Sequence, residues 1–156
     1  MKSDRGAVFL VGAYHCIQFT NVHSGPEALE RIQEFEDYLA LLAIDNDAVL
    51  IAEEFSEEML ALNFATVSTA QGAARQSNRA HMFCEPPIAL RREWGEDLNT
   101  EREKYWLERL KSSNALRIVF VCGKDHLISF QSMLEESGYK ATVTSQIWGA
   151  GWAFVQ

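Results

Sequence analysis

Two copies of one short pattern carry the chemistry that this chain offers: Gly12-Ala13-Tyr14-His15 and Gly123-Lys124-Asp125-His126. Each follows an apolar, β-branched run, residues 7–11 and 118–122. Runs of this kind read as buried strands, so each histidine stands just past a strand end. Ligands of open α/β sheets bind in the crevice outside the carboxyl ends of the strands. If the two strands are parallel neighbours, imidazoles from opposite ends of the chain meet above one sheet edge. Two imidazoles and one carboxylate hold a catalytic divalent metal and leave a position open. Glycine before each histidine admits a positive φ or a close backbone approach.

The carboxylate is supplied by a third run, residues 48–52, which ends in Glu53-Glu54. Neighbours in an extended segment point to opposite sides, so one of the two faces the crevice. Glu53, the nearer to the strand, is the expected ligand, and Glu54 is expected to be a solvated charge. Thr100-Glu101-Arg102-Glu103 matches a capping box at a helix start. Glutamate suits a first turn, whereas arginine opposes the helix dipole there and is the more informative residue. A guanidinium aimed at the crevice would orient a carboxylate ligand or stabilise developing negative charge, and Glu103 would be the nearby general base. His81, Cys84 and Glu85 lie at a fourth strand end just before Pro86-Pro87, and read as a rigid loop with roles left open. A phosphate cradle at Gly123 is opposed by Asp125, and the glycine spacing matches neither the dinucleotide nor the Walker pattern.

The elements that must position these groups follow from periodicity. Ser24-Gly25-Pro26-Glu27 starts a helix whose stripe is Leu29, Ile32, Phe35, Leu39 and Leu42 and which ends near Ile44. Residues 56–71 read as a helix through Met59, Leu62 and Phe64, with Gly72 as its stop. Residues 79–84 read as a short strand cut off by the two prolines. The helix begun at Thr100 carries Tyr105, Trp106, Leu107 and Leu110, with Trp106 as core. The helix after Gly123 buries Leu127, Phe130 and Leu134, stops at Gly138, and hands over to an edge strand at 139–144. This alternation predicts an α/β fold in three layers: a mostly parallel five- or six-stranded sheet with helices on both faces, forming one domain over 1–156.

Composition narrows the partners. With 14 Lys and Arg against 22 Asp and Glu the formal charge is -8, so a sequence-independent grip on nucleic acid is not expected, Arg91-Arg92 being a small basic patch. The apolar run near the start is far too short for a signal peptide or a membrane span, which predicts a cytoplasmic protein without a membrane partner. Three cysteines without C-x-x-C spacing agree with a reducing compartment. Cys122 reads as a small buried hydrophobe, and Cys16 beside His15 points away from it. The aromatic tail, residues 147–156, is expected to add a strand, cover the sheet, or form a homodimer contact.

In order, Leu10-Val11-Gly12-Ala13-Tyr14-His15, Leu50-Ile51-Ala52-Glu53-Glu54, Glu101-Arg102-Glu103-Lys104-Tyr105-Trp106 and Val121-Cys122-Gly123-Lys124-Asp125-His126-Leu127 resemble a compact member of the TraB/GumN superfamily, related to Tiki, ChaN and erythromycin esterase-like proteins. The resemblance implies a site at His15, Glu53, Arg102, Glu103 and His126. It implies metal-dependent peptide hydrolysis for the Tiki branch, haem or iron binding for ChaN, and lactone hydrolysis without an obvious metal for the esterase-like branch. The leading expectation is therefore a hydrolase of a small-molecule or peptide substrate. In it His15, Glu53 and His126 bind a divalent metal ion (Zn, Mn, Fe or Co), with Glu103 as base and Arg102 at the oxyanion. A non-enzymatic binding domain on the same scaffold and a metal-free His/Glu hydrolase are the alternatives.

Overall fold

The computed structural model describes residues 4–21 and 23–149. Five strands form one parallel sheet: β1 (Gly6–Ala13), β3 (Leu50–Glu53), β5 (Ala80–Phe83), β6 (Arg117–Gly123) and β7 (Tyr139–Ser145), in the order β5-β3-β6-β1-β7. The two strands that end in Gly-x-x-His are adjacent and parallel, with Gly12 opposite Cys122 and Ala13 opposite Gly123. Both histidines therefore leave the same edge of the sheet.

Side chains alternate across the sheet and meet a different helical layer on each face. Val11, Ile51, Val119 and Val121 pack on α1 (Pro26–Asp45) and α3 (Thr69–Ser77), through Phe35, Leu39, Ala43, Ala70 and Ala73. Val8, Leu10, Leu50, Ala52, Ile118 and Phe120 pack on α5 (Leu98–Ser113) and α6 (Leu127–Glu136), through Trp106, Leu110, Phe130 and Leu134. The expected three-layer α/β architecture is thus present. Among the described residues no helix is long and apolar enough to cross a membrane.

Residues 56–71 depart from the expected single helix. Instead α2 (Glu57–Leu62) ends at Asn63, Phe64 takes a positive φ of 54°, and β4 (Ala65–Ser68) pairs antiparallel with β2 (Phe19–Asn21). The β-branched Thr66 and Val67 favour the extended chain. Ser68 then accepts from the Gln71 N–H and closes a capping box, so α3 starts there and runs through Gly72 rather than stopping at it. Two helix starts also shift. Gly25, not Ser24, caps α1. α5 begins at Leu98, before Thr100.

Neither glycine of the repeated pattern has a positive φ. Gly12 serves close approach: a Cβ there would stand 1.9 Å from the Gln146 carbonyl oxygen. Just beyond, the Trp148 N–H donates to Gly12 O at 2.8 Å, and its indole stacks on Phe35 at 4.8 Å between ring centroids. That part of the aromatic tail covers α1; residues 150–156 lie outside the described residues. Gly12→Ala is expected to cost about 1–3 kcal/mol by overpacking a closed backbone crossing. Urea denaturation measures it, and an unchanged midpoint would show that the segment after β7 does not seat against β1.

Candidate functional site

Five charged or titratable side chains meet over the β3/β6 end of the sheet. Glu54 follows β3 and its backbone N–H donates to Val121 O at 2.8 Å, which fixes it at the edge of β6. One of its carboxylate oxygens accepts the Gly123 N–H at 2.7 Å, and the other accepts from Arg102 Nη2. Arg102, in the second turn of α5, also grips Glu85 with two nitrogens, Nε to Oε1 at 2.8 Å and Nη2 to Oε2 at 2.5 Å. This planar fork onto a carboxylate is the geometry for which arginine is suited. Glu54, Glu85 and Arg102 are all buried. Burial alone would lower the guanidinium pKa, but the bonds and charges of Glu85 and Glu54 outweigh it and hold Arg102 more firmly protonated than usual.

His126 stands beside this group in the 3-10 turn Lys124–His126 that leads into α6. Its Nδ1 meets Glu103 Oε2 at 2.9 Å, and Ser129 Oγ donates to the same oxygen at 3.0 Å. A carboxylate accepts only, so the imidazole proton lies on Nδ1 and Nε2 offers its lone pair. Nε2 lies 3.5 Å from Glu54 Oε2 and 3.5 Å from Arg102 Nη1. Trp106 packs edge-on against the ring, with centroids 4.9 Å apart, and its indole also lies under the Arg102 guanidinium. Burial pulls the His126 pKa down and Arg102 opposes the proton, but the bond to Glu103 and the charges of Glu54 and Glu103 prevail, leaving it raised above 6.5.

His15 approaches from the other strand end, in the 3-10 turn His15–Ile17 after β1. Its Nδ1 is 2.7 Å from Gln18 Oε1, which orients the ring. A Cβ on Gly123 would lie 3.5 Å from both His15 Nε2 and Glu54 Oε1, so glycine keeps the space between these groups open. His15, Cys16 and His126 line two cavities. One, of about 340 Å³, also has Phe19, Glu54, Phe55, Met59, Glu85, Arg91 and Arg102 in its wall. The other, of about 410 Å³, is walled by Ala13, Tyr14, Gly123, Lys124, Asp125 and Ile147. A larger cavity between α6 and β7 contains none of the site's histidines, glutamates or arginines.

Of the expected site residues, His15, Arg102, Glu103 and His126 come together, and Glu53 does not. Glu53 shares its face with Ile51 and turns toward α3, where its Oε2 accepts from Ser68 Oγ at 2.5 Å and meets His81 Nε2 at 2.5 Å. Glu54 takes the crevice position and is buried, contrary to its reading as a solvated charge. Glu103 is also displaced from the expected role: it sits behind His126 and is absent from both cavity walls. Glu85 is the further site residue that sequence reasoning left open. Its signal was a carboxylate at a strand end, fixed by two prolines.

The metal expected at His15, Glu53 and His126 does not fit these residues. Glu53 faces the other helical layer, and Glu54, which replaces it, already gives its carboxylate to Arg102 and the Gly123 N–H. The guanidinium fills the cation's place. Among the described residues no three His, Cys, Asp or Glu side chains are grouped to hold a metal ion. Cys84 and Cys122 are buried and carry no nucleophile's signature, burial pushing the Cys84 thiol up to about 12. No family model, no curated protein and no solved structure matches this chain.

Proposed function

We propose that this chain is a metal-free hydrolase that activates water at His126 to cleave a carboxylic ester or lactone. The observation that carries this reading is the Glu103–His126 pair, which fixes the tautomer and aims a basic Nε2 into a cavity beside a paired guanidinium. An orienting carboxylate behind an imidazole is the arrangement by which histidine serves as general base in acyl transfer. Water bound at Nε2 attacks the carbonyl carbon while its proton passes to His126. The positive charge of Arg102 stabilises the oxyanion, and the tetrahedral intermediate collapses as His126 returns the proton to the leaving alkoxide. Glu103 holds the imidazolium in place and does not itself take the proton. His15 completes the wall that confines the water.

The resemblance to the TraB/GumN superfamily supports the same reading through its esterase-like branch. The test is hydrolysis of p-nitrophenyl butyrate by purified protein before and after exhaustive treatment with a chelator. The expected rate is unchanged by chelation and by added zinc or manganese. A rate that disappears with the chelator and returns with one metal would overturn the metal-free mechanism.

A further inference from the structure

We propose that Arg91 is the anion-recognising residue of this site, and that the ligand is a monocarboxylate with an apolar body seated against Phe19, Phe55 and Met59. Only the place of bond cleavage rests on the hydrolytic reading; the binding claim stands on the cavity itself.

Arg91 projects from α4 (Ile88–Glu93), a short helix held in place by the Glu58 carboxylate, which accepts the Ile88 N–H at 2.8 Å. Its side chain forms part of the wall of the cavity that holds Glu54, Arg102 and His126. Of the ionisable groups in that wall, Glu54, Glu85, Arg102, His126 and His15 all have side-chain partners. Among the described residues Arg91 has neither a side-chain hydrogen bond nor an ion pair, and its buried Nε has no acceptor. A buried donor without an acceptor forfeits its hydration. A planar anion in the cavity supplies the partner that this guanidinium lacks, because a carboxylate accepts from its two terminal Nη groups in parallel.

The rest of the wall selects among anions. Phe19 and Phe55 lie 5.5 Å apart between ring centroids and, with Met59, form an apolar patch. Glu54 and Glu85 share one guanidinium, so the wall already carries a negative excess apart from Arg91. A dianion such as a phosphate monoester meets repulsion from that excess, and a singly charged carboxylate meets less. A cavity of about 340 Å³ suits a small molecule rather than a polymer segment. Arg91 thus fixes the charged end, the aromatic patch covers the body, and the scissile ester comes to His126.

The test uses protein with ¹³C-labelled methionine methyl groups, since Met59 lines the cavity and reports occupancy at that position. The probes are 4-phenylbutyrate and its uncharged isostere 4-phenylbutanamide, titrated into wild type, Arg91→Gln and His126→Asn. The acid is expected to shift the Met59 methyl resonance in wild type and in His126→Asn. Its affinity should fall roughly tenfold or more in Arg91→Gln, the value of a charged hydrogen bond. The amide should bind weakly to all three. Equal binding of acid and amide to wild type, acid binding that Arg91→Gln leaves unchanged, or no shift of Met59 with the acid would each overturn the assignment. Loss of ester hydrolysis is read separately: a hydrolytic mechanism that fails while the acid still binds through Arg91 overturns the catalytic reading alone. Arg91→Gln removes no partner of another side chain, so an unchanged melting curve is expected.

Discussion

Arg102→Met should lower stability by about 3–5 kcal/mol, because it leaves two buried carboxylates without their cation. The Arg102 side chain is 10% exposed, and those of Glu54 and Glu85 are 3% and 4% exposed, so solvent cannot take over the pairing. Glu54 keeps the Gly123 N–H and the His126 imidazole 3.5 Å away, and Glu85 loses both bonds of the fork. The penalty is that of uncompensated charge more than of lost attraction. Removing the charges together, in the triple variant Glu54→Gln, Glu85→Gln, Arg102→Met, should recover most of the loss, as neutral groups of similar shape cost far less to bury. Urea unfolding of the single and triple variants decides it. A single variant that loses less than about 1 kcal/mol, the range of exposed pairs, would mean that the ion pair is effectively solvated.

His126→Asn should reduce ester hydrolysis on the order of 10²–10⁴-fold with the fold retained, which is the usual contribution of a positioned acid or base. The pH dependence separates this role from a structural one. Hydrolysis needs neutral His126, so its rate should rise with pH through the raised pKa. Stability runs the other way: the folded-state pKa lies above the unfolded value of 6.5, so the protonated imidazole contributes stability that is fully present below 6.5 and lost as pH rises through the raised value. Glu103→Gln replaces the charged acceptor by a neutral one and removes one of the two carboxylate charges that raise the pKa, leaving that of Glu54. The rate profile should shift to lower pH in that variant, with a smaller pH-dependent part of stability. A profile that Glu103→Gln leaves in place would show that His126 does not carry the rate-determining proton.

The strands β1, β3 and β6 were legible because each carries a continuous apolar run, the pattern of a parallel sheet covered on both faces. The hairpin of β2 and β4 was not. Its residues are few, and its pairing joins Phe19 to Ser68 across the whole of α1 and β3, which no local period records. A helical spacing through Met59, Leu62 and Phe64 therefore extended past its real end at Asn63. Phe64 at positive φ broke it, a conformation that the residue type does not advertise.

The choice between Glu53 and Glu54 shows the same division at a single bond. Alternation established that the two point apart, but not which of them faces the site. Glu54 has the parity of Leu50 and Ala52, whose face is covered by α5 and α6, the helices of Arg102, Glu103 and the turn carrying His126. Glu53 has the parity of Ile51, which faces α1 and α3, and in register Ile51 stands opposite His81. Once the layer over each face is known, Glu53 pairs with His81 and Glu54 with Arg102. Only packing supplies that layer.

Sequence by itself determined a mostly parallel α/β sheet, two histidines at strand ends and an arginine and carboxylates at the ends of other elements, because these follow from local pattern and chain order. That the two histidine-bearing strands are neighbours was decided by the sheet order. Tertiary structure decided the chemistry. It turned Glu53 away and brought Glu54 and Glu85 onto one guanidinium, with Glu103 behind His126. These contacts join residues separated by 48, 17 and 23 positions. Such pairs depend on which helix covers which face of the sheet, and that is settled by burying apolar surface rather than by the polar residues themselves.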